Sequence, residues 1–324
     1  MKRLHTLVAL LLAGWATTLS AQHLGSEYRL KRVLPVAGRQ GIAIDSSYYY
    51  VSDTRVLYKY DKEGRLVASN DAPFRDPATA NHFGDIDIHN GELYCGIEKF
   101  EYGRGYNIAV AVYDASTLQW KRDLPWSPES GQVEVSGLAV DRDRGLVWMS
   151  DWVDSRYVYA YDLATGAYHT KMQCRPAPWW CQGIFIADGK MLFTADDGEA
   201  LYHIPDNIYV ADISDAPFTG LAAGREPVRE SAFSVRLDAD GRPVMRSGKV
   251  AAGAMKGRIE LFREMNDFER AGEIEGLAID PVSDDLVVLN NRGTQIVLGM
   301  SQGPLTDEGY TAEIHELYIY EKVR

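Results

Sequence analysis

The chain reads QGIAID at Gln40–Asp45, and four later stretches repeat that phrase: FGDIDIHNG at Phe83–Gly91, SGLAVD at Ser136–Asp141, QGIFIAD at Gln182–Asp188 and EGLAID at Glu275–Asp280. Each is followed by an apolar run that ends in an acid or amide: YYYVSD (Asp53), ELYCGIE (Glu98), LVWMSD (Asp151), KMLFTADD (Asp196, Asp197) and LVVLNN (Asn290, Asn291). A unit this short cannot bury its own apolar face, so a repeat implies that neighbouring units stack. Val, Ile, Tyr and Trp dominate the runs, and Gly, Asp and Asn bound them, which is strand and turn chemistry. A third run per unit alternates aromatic and apolar residues before an Asp turn, as in VLYKYDKEG at Val56–Gly64, IAVAVYDAS at Ile108–Ser116 and YVYAYDLATG at Tyr157–Gly166. A fourth is polar and irregular, as an outer edge strand should be. Four antiparallel strands per unit, repeated radially, predict an all-β chain folded as a β-propeller.

The segment HELYIYEKV at His315–Val323 matches the third-strand pattern, and EYRLKRVLPV at Glu27–Val36 reads as a fourth strand lying just before the first repeat. The last blade is therefore expected to take its outer strand from residues 27–36, which closes the ring without a free edge. Blade starts at Gly41, Asp85, Gly137, Gly183 and Gly276 are spaced 44, 52, 46 and 93 residues apart. The last step is about two units, so six blades are expected, with a degraded one inside Pro217–Arg270. Five blades with a long insertion there are the alternative.

Lys2 and Arg3, the apolar Leu7–Ala13 and the Leu19-Ser20-Ala21 end of this stretch read as a secretory signal peptide over residues 1–21. The domain then runs over 22–324, and a secreted or periplasmic protein follows, with no membrane segment after cleavage. The formal charge is −12, and removal of the two leader cations makes it about −14. That excludes a nucleic-acid partner, which needs basic faces. It leaves cations, neutral polar small molecules or a protein partner. In an oxidising compartment Cys174 and Cys181, in CRPAPWWC, suit a loop-closing disulfide contributing roughly 2–3 kcal/mol. Cys95 lies within a strand and reads as a buried thiol.

In an up-and-down blade the loop entering strand one and the loop after strand two share a face. Gln40, His82, Asp85, Glu134, Gln182 and Glu275 thus converge with Asp53, Glu98, Asp151, Asp196, Asp197, Asn290 and Asn291 on one mouth of the channel. Crowded acids raise one another's pKa unless a cation is present. His82, Asp85 and Glu275 are the candidate proton-transfer residues. Gln40, Gln182, Trp152, Trp179 and Arg292 are the candidate substrate contacts. Most single acids in such positions only cap turns.

The repeated xGhAhD unit with its following turn resembles the six-bladed propellers of the senescence-marker-protein/gluconolactonase-like superfamily. The resemblance is spread over nearly the whole chain, with EGLAID at Glu275 the best match. It implies a divalent cation, usually calcium, in the central channel, and hydrolysis of a lactone or ester. On this chain the family's blade-start positions would be Gln40, Asp85 with His82 nearby, Ser136, Gln182 and Glu275, and with the strand-two ends the expected metal ligands are Glu275, Asp85, Asp151, Asp196 and Asn290. The chain departs from the family in lacking its Asn-Gly blade start and in carrying Gln-Gly twice. Two readings therefore stay open: a cation-assisted hydrolase of a lactone, ester or sugar-derived molecule, and a non-enzymatic propeller binding a ligand or protein.

Overall fold

The computed structural model describes residues 22–101, 104–152, 155–196, 205–213, 221–231, 234–251, 256–268, 272–293, 295–296, 300–301 and 312–323. The signal-peptide reading and Asp197 lie outside the described residues. Five four-stranded antiparallel units form the propeller. Blade 1 holds Ile42–Ile44, Tyr48–Ser52, Leu57–Asp61 and Leu66–Asn70. Blade 2 holds His82–His89, Glu92–Glu101, Arg104–Asp114 and Trp120–Pro125. Blade 3 holds Leu138–Asp141, Leu146–Ser150, Tyr157–Asp162 and Tyr168–Arg175. Blade 4 holds Cys181–Ala187, Lys190–Ala195, Asn207–Asp212 and Glu260–Glu264. In blade 5, Gly272–Ile279, Leu286–Arg292 and Ile314–Lys322 are joined by the N-terminal strand Tyr28–Pro35. That strand runs antiparallel to Ile314–Lys322, pairing Tyr28 with Lys322 and Pro35 with Glu316.

Among the described residues no sixth blade is formed, and the alternative count of five is the observed one. The 93-residue step is a single blade whose third and fourth strands are separated by an insertion. This insertion forms a hairpin, Leu221–Pro227 against Met245–Ala251. It then lays Lys256–Arg258 in parallel along Gln173–Arg175, the outer edge of blade 3. Repeat spacing counts residues, and it cannot tell a missing motif from a long excursion between two strands.

The Tyr that ends the third strand fills the space between blades: Tyr60, Tyr113, Tyr161 and Tyr320 are all buried. The acid after it turns outward and caps the turn. Asp61 Oδ1 accepts the amides of Glu63 and Arg65, Asp114 Oδ1 those of Ser116 and Thr117, and Asp162 Oδ1 those of Ala164 and Thr165. These are Asx turns.

The innermost strands meet at the ring axis, and the repeated glycine is what lets them. A β-carbon on Gly41 would lie 2.5 Å from Asp85 Cα, and one on Gly183 would lie 2.7 Å from Gly276 Cα. The axis is thus packed with backbone, and the open space lies above it at the mouth.

Candidate functional site

A pocket of about 270 Å³ opens at the mouth. Blade 1 supplies Arg39, Gln40 and Thr54, and blade 2 supplies His82 and Phe100. Glu134, Ser136 and Trp152 come from blade 3 and the loop leading into it, Gln182 from blade 4, and Glu273 and Glu275 from blade 5. Strand-one entries and strand-two exits meet here, as antiparallel alternation requires. Irregular pairing at Phe83/Ile86, Cys181/Gly183 and Ile274/Leu277 marks the blade starts of blades 2, 4 and 5. Such bulges re-aim side chains near a site.

His82 is paired, and its partner is Glu98. His82 Nδ1 lies 3.1 Å from Glu98 Oε1, and Glu98 Oε2 accepts the Val135 amide at 2.9 Å. Glu98 is fully buried, and Gly105 leaves room for it, since a β-carbon there would overlap its carboxylate. The His82 ring also lies against Phe100, with centroids 5.3 Å apart. Burial, with Arg39 and Arg55 nearby, lowers the His82 pKa to about 4, so the ring is neutral at neutral pH. Burial and the Asp151 carboxylate push Glu98 up.

Glu275 is buried beside the pocket, and Asn291 Nδ2 donates to its Oε1. Its pKa is pushed well above the ordinary glutamate value by burial and by Glu273, Asp85 and Asp206, against the opposing pull of Arg39. Asp196 is raised by burial and by Asp206, Glu273 and Glu275. A carboxyl raised on folding stabilises the fold below its unfolded pKa and loses that contribution as pH climbs through the folded value. Glu275→Gln is therefore expected to raise the melting temperature at pH 8 by a few degrees and to change it little at pH 4.5. A thermal melt series across that range checks it, and an equal shift at both ends would contradict the assignment. His82 has the opposite sign, because stability tied to its lowered pKa fades as pH falls below 6.5.

Several expected residues stand elsewhere. Asp85 does not line the pocket: it sits at the ring axis and accepts backbone amides from Ile42 (3.3 Å), Ile86 (2.8 Å) and Ile184 (3.2 Å). Asp151 is also committed internally, to the amides of Val133 and Glu134 and to the Tyr159 hydroxyl. Asn290 Nδ2 donates to the Glu273 carbonyl, and Arg292 pairs with Glu316 at 2.7 Å and with the Tyr318 hydroxyl. Among the described residues no three His, Cys, Asp or Glu side chains come together as a metal-holding group. The expected calcium ligands are thus divided between the ring axis, loop ties and the pocket wall.

Trp179 is 68% exposed and lies outside the pocket lining. Trp180 is the inward one of the pair, edge-on to Trp152 with centroids 4.9 Å apart. The expected Cys174–Cys181 disulfide is not formed, and Cys95, Cys174 and Cys181 are all free and buried. Cys181 Sγ turns instead to Ser150 Oγ at 3.6 Å and the Gly183 carbonyl at 3.7 Å. Burial pushes the Cys181 thiol up to about 12 and the Cys174 thiol up as well, so both are poor nucleophiles.

Arg39, Thr54, Phe100 and Glu273 were not singled out by the repeat. Glu273 had a signal, since it stands two residues before Glu275 on a strand, where alternate side chains share a face. Arg39 Nη2 donates to Glu273 Oε2 at 3.2 Å.

No protein-family model matches the chain, and no curated protein matches it. Its fold is similar to the glutaminyl cyclase of Myxococcus xanthus, with 11% identity over 90% of this chain and 97% of that one, at a TM-score of 0.49. It is also similar to the WD40 repeats of RRP9, with 12% identity over 90% of this chain and 100% of that one, at a TM-score of 0.46. At these values the likenesses carry nothing about activity, and the gluconolactonase-like family is not confirmed.

Proposed function

We propose that this propeller binds a compact polar molecule in the mouth pocket and hydrolyses it by acid–base chemistry, as a lactonase or esterase acting on a sugar-derived or similar substrate. The observation that supports this reading is the pairing, in one pocket, of a neutral His82 backed by Glu98 with Glu275, whose pKa burial and neighbouring carboxyls push well above the ordinary glutamate value. The two groups have pKa values driven apart by their surroundings, the usual mark of an acid and a base with separate tasks. His82 Nε2 accepts a proton from water, and the oxygen bonds to the substrate carbonyl carbon. The tetrahedral adduct then breaks its C–O bond while Glu275 protonates the leaving oxygen. His82 returns its proton through solvent to the Glu275 carboxylate. The amides of Gln40 and Gln182 are the donors available to the carbonyl oxygen. A volume near 270 Å³ suits a small ligand. On the reading of residues 1–21 as a signal peptide, we propose that the protein meets this substrate after export.

The test is turnover of aldonolactones and aryl esters by the purified protein. His82→Asn is expected to lower kcat about 100-fold or more, with a melting temperature close to that of the parent. Glu98→Gln keeps one oxygen for the Val135 amide or for His82 Nδ1 but turns an NH₂ toward the other, and its kcat should fall between those of the parent and His82→Asn. Absence of turnover across the panel, or an unimpaired His82→Asn variant, would sink the hydrolase reading. Activity abolished by a chelator and restored by calcium would overturn its metal-free form.

A further inference from the structure

A second cavity, of about 320 Å³, opens where the link from blade 1 runs over blade 2, and it shares no lining residue with the mouth pocket. The link contributes Phe74, Arg75, Asp76 and Thr79, and the outermost strand of blade 2 contributes Trp120 and Asp123. The link is tied down: Asp76 Oδ1 accepts the Ala78 amide at 2.9 Å, and the Tyr113 hydroxyl donates to the Pro73 carbonyl at 3.2 Å. The floor is apolar, made by the buried Ala80, Ile97 and Tyr113.

At the rim one indole keeps two opposite charges apart. The Arg75 guanidinium lies over the Trp120 ring, 4.9 Å from its centroid, and Trp120 Nε1 donates to Asp123 Oδ1 at 2.8 Å. One charge on the face and one at the edge leaves roughly 7 Å between them. Among the described residues Arg75 makes no hydrogen bond or ion pair, and the second oxygen of Asp123 accepts none. All the guanidinium donors are therefore available to a ligand. A simple anion would suit Arg75 but meet Asp76 and Asp123, and a simple cation would suit the acids but meet Arg75. A molecule carrying both charges satisfies both. In an α-amino acid the ammonium nitrogen and the carboxylate carbon are ~2.5 Å apart, and charge-assisted hydrogen bonds at each end extend the reach to about 9 Å, enough to span the gap.

We infer that this cavity binds a free α-amino acid with an apolar side chain. Its carboxylate is held at Arg75, its ammonium at Asp123, and its side chain lies against Ile97 and Tyr113. Asp76 adds a second negative charge, which disfavours acidic side chains. The site is independent of the mouth pocket and of the reaction proposed there.

Calorimetry on the purified protein at pH 7 tests it, with L-leucine, N-acetyl-L-leucine, which lacks the ammonium, and L-leucinamide, which lacks the carboxylate. Leucine is expected to bind, and each derivative to bind about ten-fold more weakly or worse. Arg75→Gln should remove the advantage of leucine over leucinamide. Asp123→Asn, which keeps an oxygen for the indole N–H, should remove its advantage over N-acetylleucine. Both positions are exposed, so both variants should melt with the parent. His82→Asn should leave the leucine affinity unchanged. No binding of leucine, phenylalanine or methionine, derivatives that bind as well as leucine, or advantages that survive the two variants would overturn the inference. Loss of leucine binding in His82→Asn would overturn it too, by placing the amino acid at the mouth.

Discussion

Asp85→Ala is expected to destabilise the protein by about 3–6 kcal/mol, enough to leave much of it unfolded at 37 °C. The Asp85 side chain is the knot of the ring: its two oxygens accept amides from the inner strands of blades 1, 2 and 4. The residue is 1% exposed, so water cannot replace the lost acceptor. A buried donor left unpaired costs roughly 1–3 kcal/mol, and three are released together. Asp85→Asn keeps one oxygen, which can still serve Ile42 and Ile86, but turns an NH₂ toward the Ile184 amide. It should cost less than the alanine, on the order of 1–3 kcal/mol. Chemical denaturation of the two variants checks the order. If both unfold with the parent, the hub is not structural and Asp85 returns as a candidate for chemistry.

This role bears on what the repeat had to say. Strand order, the turn-capping acids and the meeting of strand-one and strand-two loops at one mouth all follow from alternation and turn chemistry. They were legible because each copy restates them. Charge within a copy was harder to read. Asp85 looked reactive because it breaks a run of glycines, but besides its neighbour Ile86 it accepts the amides of Ile42 and Ile184 from blades 1 and 4, contacts created only by closure. The partner of His82 was closer to view. Asn90 and Gly91 both have positive φ and form a two-residue turn joining His89 to Glu92. Counting outward from that turn alone would set His82 opposite Lys99, and the bulge between Phe83 and Ile86 shifts the register by one residue and brings Glu98 there instead. The blade count was beyond such counting, because nothing local distinguishes an inserted hairpin from a blade that has lost its signature. The disulfide reading rested on spacing and compartment, and spacing does not say which way a thiol points.

Gly276→Ala should be comparably damaging, by at least ~3 kcal/mol, for a reason that separates it from most glycine substitutions. Gly145 and Gly241 have φ of +64° and +74° with nothing within 4 Å of an added β-carbon. Alanine there would pay only for the backbone conformation, about 1 kcal/mol. At Gly276 the obstacle is matter. The new β-carbon would lie 2.4 Å from Asp85 Oδ1, 2.8 Å from Gly41 Cα and 2.8 Å from the Ile42 nitrogen. Two of those three atoms are backbone of blade 1, and Gly276 donates its own amide to the Gln40 carbonyl at 3.0 Å, so neither strand can retreat without breaking the junction of blades 5 and 1. The two hub variants should also be coupled. Asp85→Ala removes the oxygen nearest the new methyl group but leaves Gly41 in place, so the double variant is expected to lose less than the sum of the singles, yet more than Asp85→Ala alone. Neighbouring sites that share a clash behave in this way. Strict additivity would mean that the inner strands do not touch at the axis, and the packing account of the repeated glycine would fall with it.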